Sequence, residues 1–118
     1  MFLNGDCPQV TMFPKYPKSD SRIIWTRHAK QKMRQYQLSE SRLRRLLVRP
    51  VRIEEGIVPG TIAIMATAGS KNRPTEVWLM YEKVDEKKKI ITTWRYPGKS
   101  PVREVPIPEE EIANLKLA

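Results

Sequence analysis

The hydrophobic period of the chain changes at Pro50, and this change limits the fold more than any other feature of the sequence. Residues 26–49 repeat apolar side chains at helical spacing, whereas residues 51–96 contain runs of β-branched, aromatic or alternating residues. Proline fits this boundary because it disfavours helical geometry in the residue before it. Two helices followed by a set of strands predict an α+β fold.

The first predicted helix covers residues 26–36, with Thr26 as a good N-cap. Helical spacing groups Ala29, Met33 and Tyr36 on one face. The opposite face carries the polar residues Arg27, Lys30, Gln31 and Arg34. His28, the only histidine of the chain, lies on the flank between these two faces.

The second predicted helix begins after the N-cap Ser39 and ends at Pro50. Its apolar face consists of Leu43, Leu46 and Leu47, and its opposite face of Arg42, Arg45 and Arg49. We expect the apolar faces of both helices to pack on one face of a sheet, against Ile62, Ile64, Leu79 or Trp94.

Four strands are predicted at residues 51–57, 61–68, 76–84 and 88–96, and a short first strand at residues 22–25. Short connections force neighbouring strands to be antiparallel, so the four form a meander. Strict alternation in the last strand places Ile90, Thr92, Trp94 and Tyr96 on one face and Ile91, Thr93 and Arg95 on the other.

The two ends of the chain differ from this central part. Residues 1–20 are proline-rich and are predicted to form an extended N-terminal arm, and residues 21–118 a single domain. Pro108 followed by three glutamates predicts the start of a short C-terminal helix.

The charge of the chain predicts a polyanionic partner, with nucleic acid first. The net charge is +9, and the segment 15–52 holds 12 basic and 2 acidic residues, so it supplies the whole excess. No apolar run approaches the roughly 20 residues of a membrane helix, so no membrane partner is expected. The single cysteine, Cys7, favours a reducing, cytoplasmic setting.

The pattern of chemically active residues predicts no metal and no cofactor. One histidine and one cysteine, far apart in sequence, do not make a structural zinc site. The loop at residues 68–75 contains glycine and lysine without the spacing of a phosphate-binding P-loop.

The segment His28-Ala29-Lys30-Gln31-Lys32-Met33 resembles the HA-x-x-(R/K)-M helix signature of an uncharacterised family of small domains related to BrnT and RelE/ParE-type toxins. The resemblance covers residues 22–96 and leaves the extension 97–118 outside. It implies a short strand and two helices packed on a four-stranded antiparallel meander. It also implies metal-independent ribonuclease activity on RNA and an antitoxin-like protein partner.

Under this resemblance His28 matches the signature position and is the candidate base. Cleavage of RNA through its own 2′-hydroxyl needs a base, an acid and cations around the phosphate. Arg34 and Arg95 complete the predicted catalytic set as phosphate-binding arginines. The predicted nucleic-acid-binding residues are Arg27, Lys30, Arg45, Arg49, Lys71, Arg73, Thr93 and Tyr96.

Three other interpretations stay open. His28 can be a half-buried packing residue of the helix flank. The two helices can form a non-catalytic nucleic-acid-binding module that loosely resembles a helix-turn-helix. The third alternative is a protein-interaction domain, which is favoured if the His28 flank is buried or if acids from residues 109–111 cover the basic face.

Overall fold

The residues described by a computed structural model, 18–101 and 105–117, form one five-stranded sheet and three helices. Their order is β1 (Ile23–Trp25), α1 (Arg27–Tyr36), α2 (Glu40–Val48), β2 (Arg52–Glu55), β3 (Thr61–Gly69), β4 (Pro74–Val84), β5 (Lys87–Pro97) and α3 (Glu109–Leu117). The predicted α+β class is confirmed. Most of the predicted N-terminal arm, residues 1–17, lies outside the described residues. None of the three helices has the length and apolar character needed to cross a membrane.

The strands lie in the order β1-β5-β4-β3-β2. The pairs from β2 to β5 are antiparallel and sequential, as their short connections predict. β1 pairs parallel with β5, with Trp25 opposite Ile90. The sheet is therefore mixed and five-stranded, and differs from the predicted four-stranded antiparallel meander by this added parallel strand.

Both predicted N-caps are present. The Thr26 hydroxyl accepts a hydrogen bond from the Ala29 amide, and the Ser39 hydroxyl accepts one from the Arg42 amide. α1 ends at Tyr36, and its C-cap, Gln37, adopts the left-handed conformation at a φ of 55°. This sharp end lets α2 return across the same face of the sheet, which we call the helix face.

The helix-face core contains the apolar sides of α1 and α2. Ala29, Met33, Leu43 and Leu46 are buried together with Ile64 and Leu79 of the sheet, and Leu47 and Ile62 are partly buried beside them. The predicted packing is confirmed for these residues. It is wrong for Trp94, which lies in the core on the opposite face.

The opposite face carries a second core built on two tryptophans. Trp78 and Trp94 stack with their ring centroids 5.9 Å apart, among Ala63, Met65 and Met80. Val105 and Ile107 pack on this cluster from outside the sheet. We call this the strap face, and residues 98–101 and 105–117, which follow the last strand, the C-terminal strap.

A β-bulge in β5 is the reason that Trp94 lies on the strap face and not on the predicted helix face. Ile90 pairs with Tyr81, whereas Thr92 pairs with Met80, so Ile91 is an extra residue in β5. The extra residue reverses the alternation, so Ile90 belongs to the helix-face core and Trp94 to the strap-face core. The prediction that Ile90 and Trp94 share one face is wrong for this reason.

Candidate functional site

The C-terminal strap is anchored at its first end by a buried carboxylate. Glu76 accepts hydrogen bonds from the Ser100 hydroxyl at 2.6 Å and from the Ser100 amide at 3.1 Å. The indole N–H of Trp78 donates to the same carboxylate at 2.9 Å. Burial alone would raise the pKa of Glu76, but the hydrogen bonds from Ser100 and Trp78 outweigh it and lower that pKa.

Arg52 holds the same part of the strap from the edge of the sheet. Its guanidinium donates to the Ser100 hydroxyl at 2.8 Å and to the Pro101 carbonyl at 3.0 Å. It also lies 5.1 Å from the centre of the Trp78 ring and 3.0 Å from the Glu54 carboxylate. The guanidinium of Arg52 is therefore used in contacts within the protein.

His28 contacts the second anchor of the strap, Glu111 of α3. Its Nε2 lies 2.8 Å from Oε1 and 3.0 Å from Oε2 of that carboxylate. The Glu111 side chain is fully buried, whereas 31% of the His28 side chain is exposed. His28 is therefore a half-buried residue of the α1 flank with a carboxylate partner.

Two further donors complete the cluster around Glu111. The Thr92 hydroxyl donates to Oε1, and the Lys32 ammonium lies 3.1 Å from Oε2. Lys32 also donates to Gln35 and to Glu110, at 3.0 and 3.3 Å. Four side chains from α1, β5 and α3 thus converge here, and we call His28, Lys32, Thr92 and Glu111 the Glu111 cluster.

The contacts within the cluster favour the ionised forms of Glu111 and Lys32. Burial alone would raise the pKa of Glu111, but the hydrogen bonds from Thr92, His28 and Lys32 outweigh it and lower that pKa. Burial alone would lower the pKa of Lys32, and its contacts with Glu111 and Glu110 raise it instead. Glu111 is a site residue that sequence analysis missed, although the three glutamates after Pro108 marked the region.

The structure does not bring His28 and Arg95 together. Thr92, which contacts the His28 partner Glu111, has its side chain on the strap face of β5. Arg95 pairs with Val77 of the helix-face core and so points to the other face. Its guanidinium donates to the carbonyls of Tyr36 and Gln37 at the end of α1, at 2.8 and 3.3 Å.

The predicted arginines of α2 line a groove on the helix face. A cavity of about 650 Å³ lies between the end of α2 and β3, with Ala66 and Thr67 on its sheet side. The basic residues that line it are Arg42, Arg44, Arg45 and Arg49. We call Arg42, Arg45 and Arg49 the groove arginines; Arg42 was missed as a site residue, although its helical spacing from Arg45 and Arg49 marked it.

Arg95 lies close to this groove. Its pKa is lowered, first because the guanidinium is partly buried and second because the positive charge of Arg42 is near. Within residues 18–101 and 105–117, the groove arginines form no ion pair with an acidic side chain. In contrast, Arg44 is paired with Glu40 at 2.7 Å and with Asp20 at 3.0 Å.

The remaining predicted residues lie at separate places. Arg27 and Arg34 are exposed and Lys30 is half-buried on α1, and Lys71 and Arg73 are exposed in the turn between β3 and β4. Tyr96 is half-buried beside a proline-lined cavity of about 520 Å³.

Thr93 is not a surface residue. Its side chain is fully buried and its hydroxyl donates to the Trp78 carbonyl at 2.5 Å. This burial leaves Thr93 out of the predicted nucleic-acid surface.

Comparison of the chain with models of protein families, with curated proteins and with solved structures finds no match.

Proposed function

We propose that this protein binds RNA through the groove between α2 and β3. The observation that carries the proposal is the concentration of cationic side chains there. Three groove arginines line one cavity. Arg95 lies nearby: partial burial is the main cause of its lowered pKa, and the positive charge of Arg42 is the second cause. Like charges held together without a paired acid repel one another, and a bound polyanion removes that repulsion.

The groove has the chemistry that a phosphate backbone needs. A guanidinium can donate two parallel hydrogen bonds to one phosphate, and arginine suits such contacts better than lysine does. Arg45 and Arg49 are exposed one helical turn apart, so both can reach successive phosphates of one strand. Ala66 and Thr67 add only small side chains to the sheet side, which leaves the groove open.

The direct test is binding of a labelled single-stranded RNA, followed by fluorescence anisotropy. The double variant Arg45→Gln/Arg49→Gln should raise the dissociation constant about tenfold or more, because it removes two charged contacts. The matched control is Arg22→Gln/Lys83→Gln, which removes two exposed charges outside the groove. The proposal fails if both double variants weaken binding equally, or if the parental protein binds no RNA.

A second candidate function is metal-independent RNA cleavage with His28 as the base. The observation in its favour is the pairing of the imidazole with the buried Glu111 carboxylate. A carboxylate on one ring nitrogen orients a histidine, and a partly exposed ring leaves the other nitrogen for a substrate hydroxyl. The separation of His28 from Arg95 places this function second, because the groove cations do not surround the imidazole.

Cleavage of labelled RNA in the presence of a chelator tests this second candidate. His28→Ala should lower the cleavage rate by about 10²-fold or more, the usual scale for a positioned proton-transfer group. Glu111→Gln should lower it as well if the carboxylate orients the ring. Bound but intact RNA would leave the binding function and exclude the catalytic one. An antitoxin-like partner is part of the same proposal and would be sought as a protein that displaces the RNA.

A further inference from the structure

The Glu111 cluster divides into donors and one acceptor, which come from different parts of the chain. The donors are His28 and Lys32 of α1 and Thr92 of β5, whereas the carboxylate belongs to α3 of the C-terminal strap. Two of the donors are enclosed, since Thr92 has no exposed surface and the Lys32 side chain is 10% exposed. α1 and β5 therefore present three donors to one anion, and the strap supplies that anion.

The described part of α3 is attached mainly through this carboxylate. Within residues 109–114, Glu111 is buried and Ile112 is half-buried, whereas the other four are exposed. The strap residues that pack on the strap-face core, Val105 and Ile107, come before α3. A segment with few buried apolar contacts opens at a lower free energy than the core does. α3 can therefore leave the cluster while Val105 and Ile107 stay packed.

The positions of the donors indicate which other anions they can bind. His28 Nε2 lies 2.8 Å from one oxygen of Glu111 and 3.0 Å from the other. The Thr92 hydroxyl donates to the first of these oxygens, and the Lys32 ammonium lies 3.1 Å from the second. A phosphate group also offers several oxygens on one atom to such donors. It carries more negative charge than a carboxylate, and a histidine can add a proton on its second ring nitrogen to match that charge.

The enclosure of the cluster favours a terminal phosphate group over a phosphate inside an RNA chain. The Glu111 side chain reaches the donors from α3, and none of its surface is exposed. A phosphodiester continues as a chain on both sides, so it cannot be enclosed in the same way. Inorganic phosphate or a phosphate monoester can be, because at least three of its oxygens carry no further chain.

We propose that His28, Lys32 and Thr92 form a binding site for a terminal phosphate group, and that α3 closes this site with the Glu111 carboxylate. Phosphate and α3 then compete for the same donors. By linkage, phosphate loosens α3 to the same extent that α3 weakens phosphate binding. None of the three donors lines the groove between α2 and β3, so this site is additional to the proposed RNA-binding surface.

Hydrogen exchange of the parental protein, followed by NMR, tests the competition. Saturating inorganic phosphate should speed exchange of the Ala113 and Asn114 amides of α3 about tenfold or more, because the helix leaves the cluster. The amides of Leu79 and Met80 in the sheet should keep their protection. Sodium chloride at the same ionic strength is the control and should leave α3 protected. Equal exchange of α3 in phosphate and in chloride overturns the proposal.

Removing the carboxylate opens the site directly. The melting temperature of Glu111→Ala should rise by about 5 °C more in phosphate than in chloride, at about ten times the dissociation constant. The matched control is Glu109→Ala, which removes the same charge from an exposed position of α3 and should respond no more than the parental protein. Adding Lys32→Gln to Glu111→Ala should abolish the gain. Equal responses of the two single variants, or a gain that persists without Lys32, overturn the proposal.

Two further ligands identify the source of the phosphate. A larger effect of uridine monophosphate than of inorganic phosphate supports a monoester, and an equal or smaller effect supports free phosphate. Release of α3 by single-stranded RNA without a terminal phosphate, and by neither small ligand, overturns the proposal. If Glu111→Ala does not fold, hydrogen exchange of the parental protein decides. Binding of RNA in the groove is not needed for either readout, so failure here is separate from failure of the proposed function.

Discussion

At the scale of single residues, Glu111 determines how the end of the chain attaches. A carboxylate with no exposed side-chain surface is stable only where its oxygens are hydrogen-bonded and its charge is compensated. Thr92, His28 and Lys32 meet both conditions. The same contacts give His28 a structural role that is independent of any chemistry it performs.

Removing the carboxylate should therefore destabilise the fold. We expect Glu111→Ala to lower the free energy of unfolding by about 2–4 kcal/mol, because Lys32 and Thr92 lose a buried partner. The neighbouring Glu110→Ala is the control, since that side chain is 61% exposed and its ion pair with Lys32 contributes at most about 1 kcal/mol. Urea unfolding of both variants measures the difference. Equal losses would contradict the assigned importance of Glu111.

The contribution of Glu111 to the free energy of unfolding should also depend on pH in the acid range. The folded-state pKa of Glu111 lies below its ordinary value of 4.5, so between these two values the unfolded chain binds more protons than the folded one. The contribution of Glu111 to the free energy of unfolding should therefore be fully present above about pH 4.5, and it should be lost as the pH falls through this window. Glu76 and Asp20 also have lowered pKa values and share the loss. Glu111→Gln should make the fall shallower; an unchanged pH profile would exclude the contribution of Glu111.

At the scale of elements, the C-terminal strap completes a core that the helices do not cover. α1 and α2 occupy the helix face, so the stacked Trp78 and Trp94 need another cover. Val105 and Ile107 contribute it, held between the Ser100–Glu76 anchor and the Glu111 cluster. The strap therefore belongs to the folded domain.

The first anchor of the strap, the contact between Ser100 and Glu76, can be tested by removing one hydroxyl group. Ser100→Ala removes the 2.6 Å hydrogen bond to Glu76 and should lower the free energy of unfolding by about 1–3 kcal/mol, the range for a buried bond to a charged acceptor. Ser21→Ala, at an exposed position, should change it by less than about 0.5 kcal/mol. Thermal unfolding compares the two. Equal effects would show that Ser100 does not anchor the strap.

At the scale of the whole molecule, the excess charge divides into two groups. Some cations of the segment 15–52 are used inside the fold, as Lys32 is with Glu111, Arg44 with Glu40, and Arg52 with Glu54. The groove arginines have no such acidic partner among the described residues. The net charge alone therefore overstates the basic surface, and the groove is the part of that surface for which we propose RNA binding.

RNA affinity should therefore depend steeply on salt. Binding that releases counterions gives a linear fall of log K with log salt concentration, with a slope of about −0.7 for each phosphate neutralised on a single strand. The Arg45→Gln/Arg49→Gln variant should make this slope shallower by about 1.4, because two contacts are lost. A titration series in potassium chloride measures both slopes. An identical slope in the variant would place the phosphate contacts elsewhere.

The sequence by itself determined the features that depend on nearby residues. Helical spacing and the N-caps Thr26 and Ser39 specified α1 and α2, because a cap bonds to an amide three residues away. The alternating runs and short connections specified antiparallel neighbours from β2 to β5. The arginine spacing of α2 likewise predicted two of the three groove arginines.

Only the tertiary structure decided the features that join distant residues. The parallel β1–β5 pair joins residues more than 60 positions apart, and the bulge at Ile91 depends on the register with β4. His28 and Glu111 are separated by 83 positions, so no local pattern could show that this imidazole faces a buried carboxylate while Arg95 faces the other side of the sheet. Spacing indicates which side chains share a face where an element is regular, and the tertiary structure decides where the regularity breaks and what each face contacts.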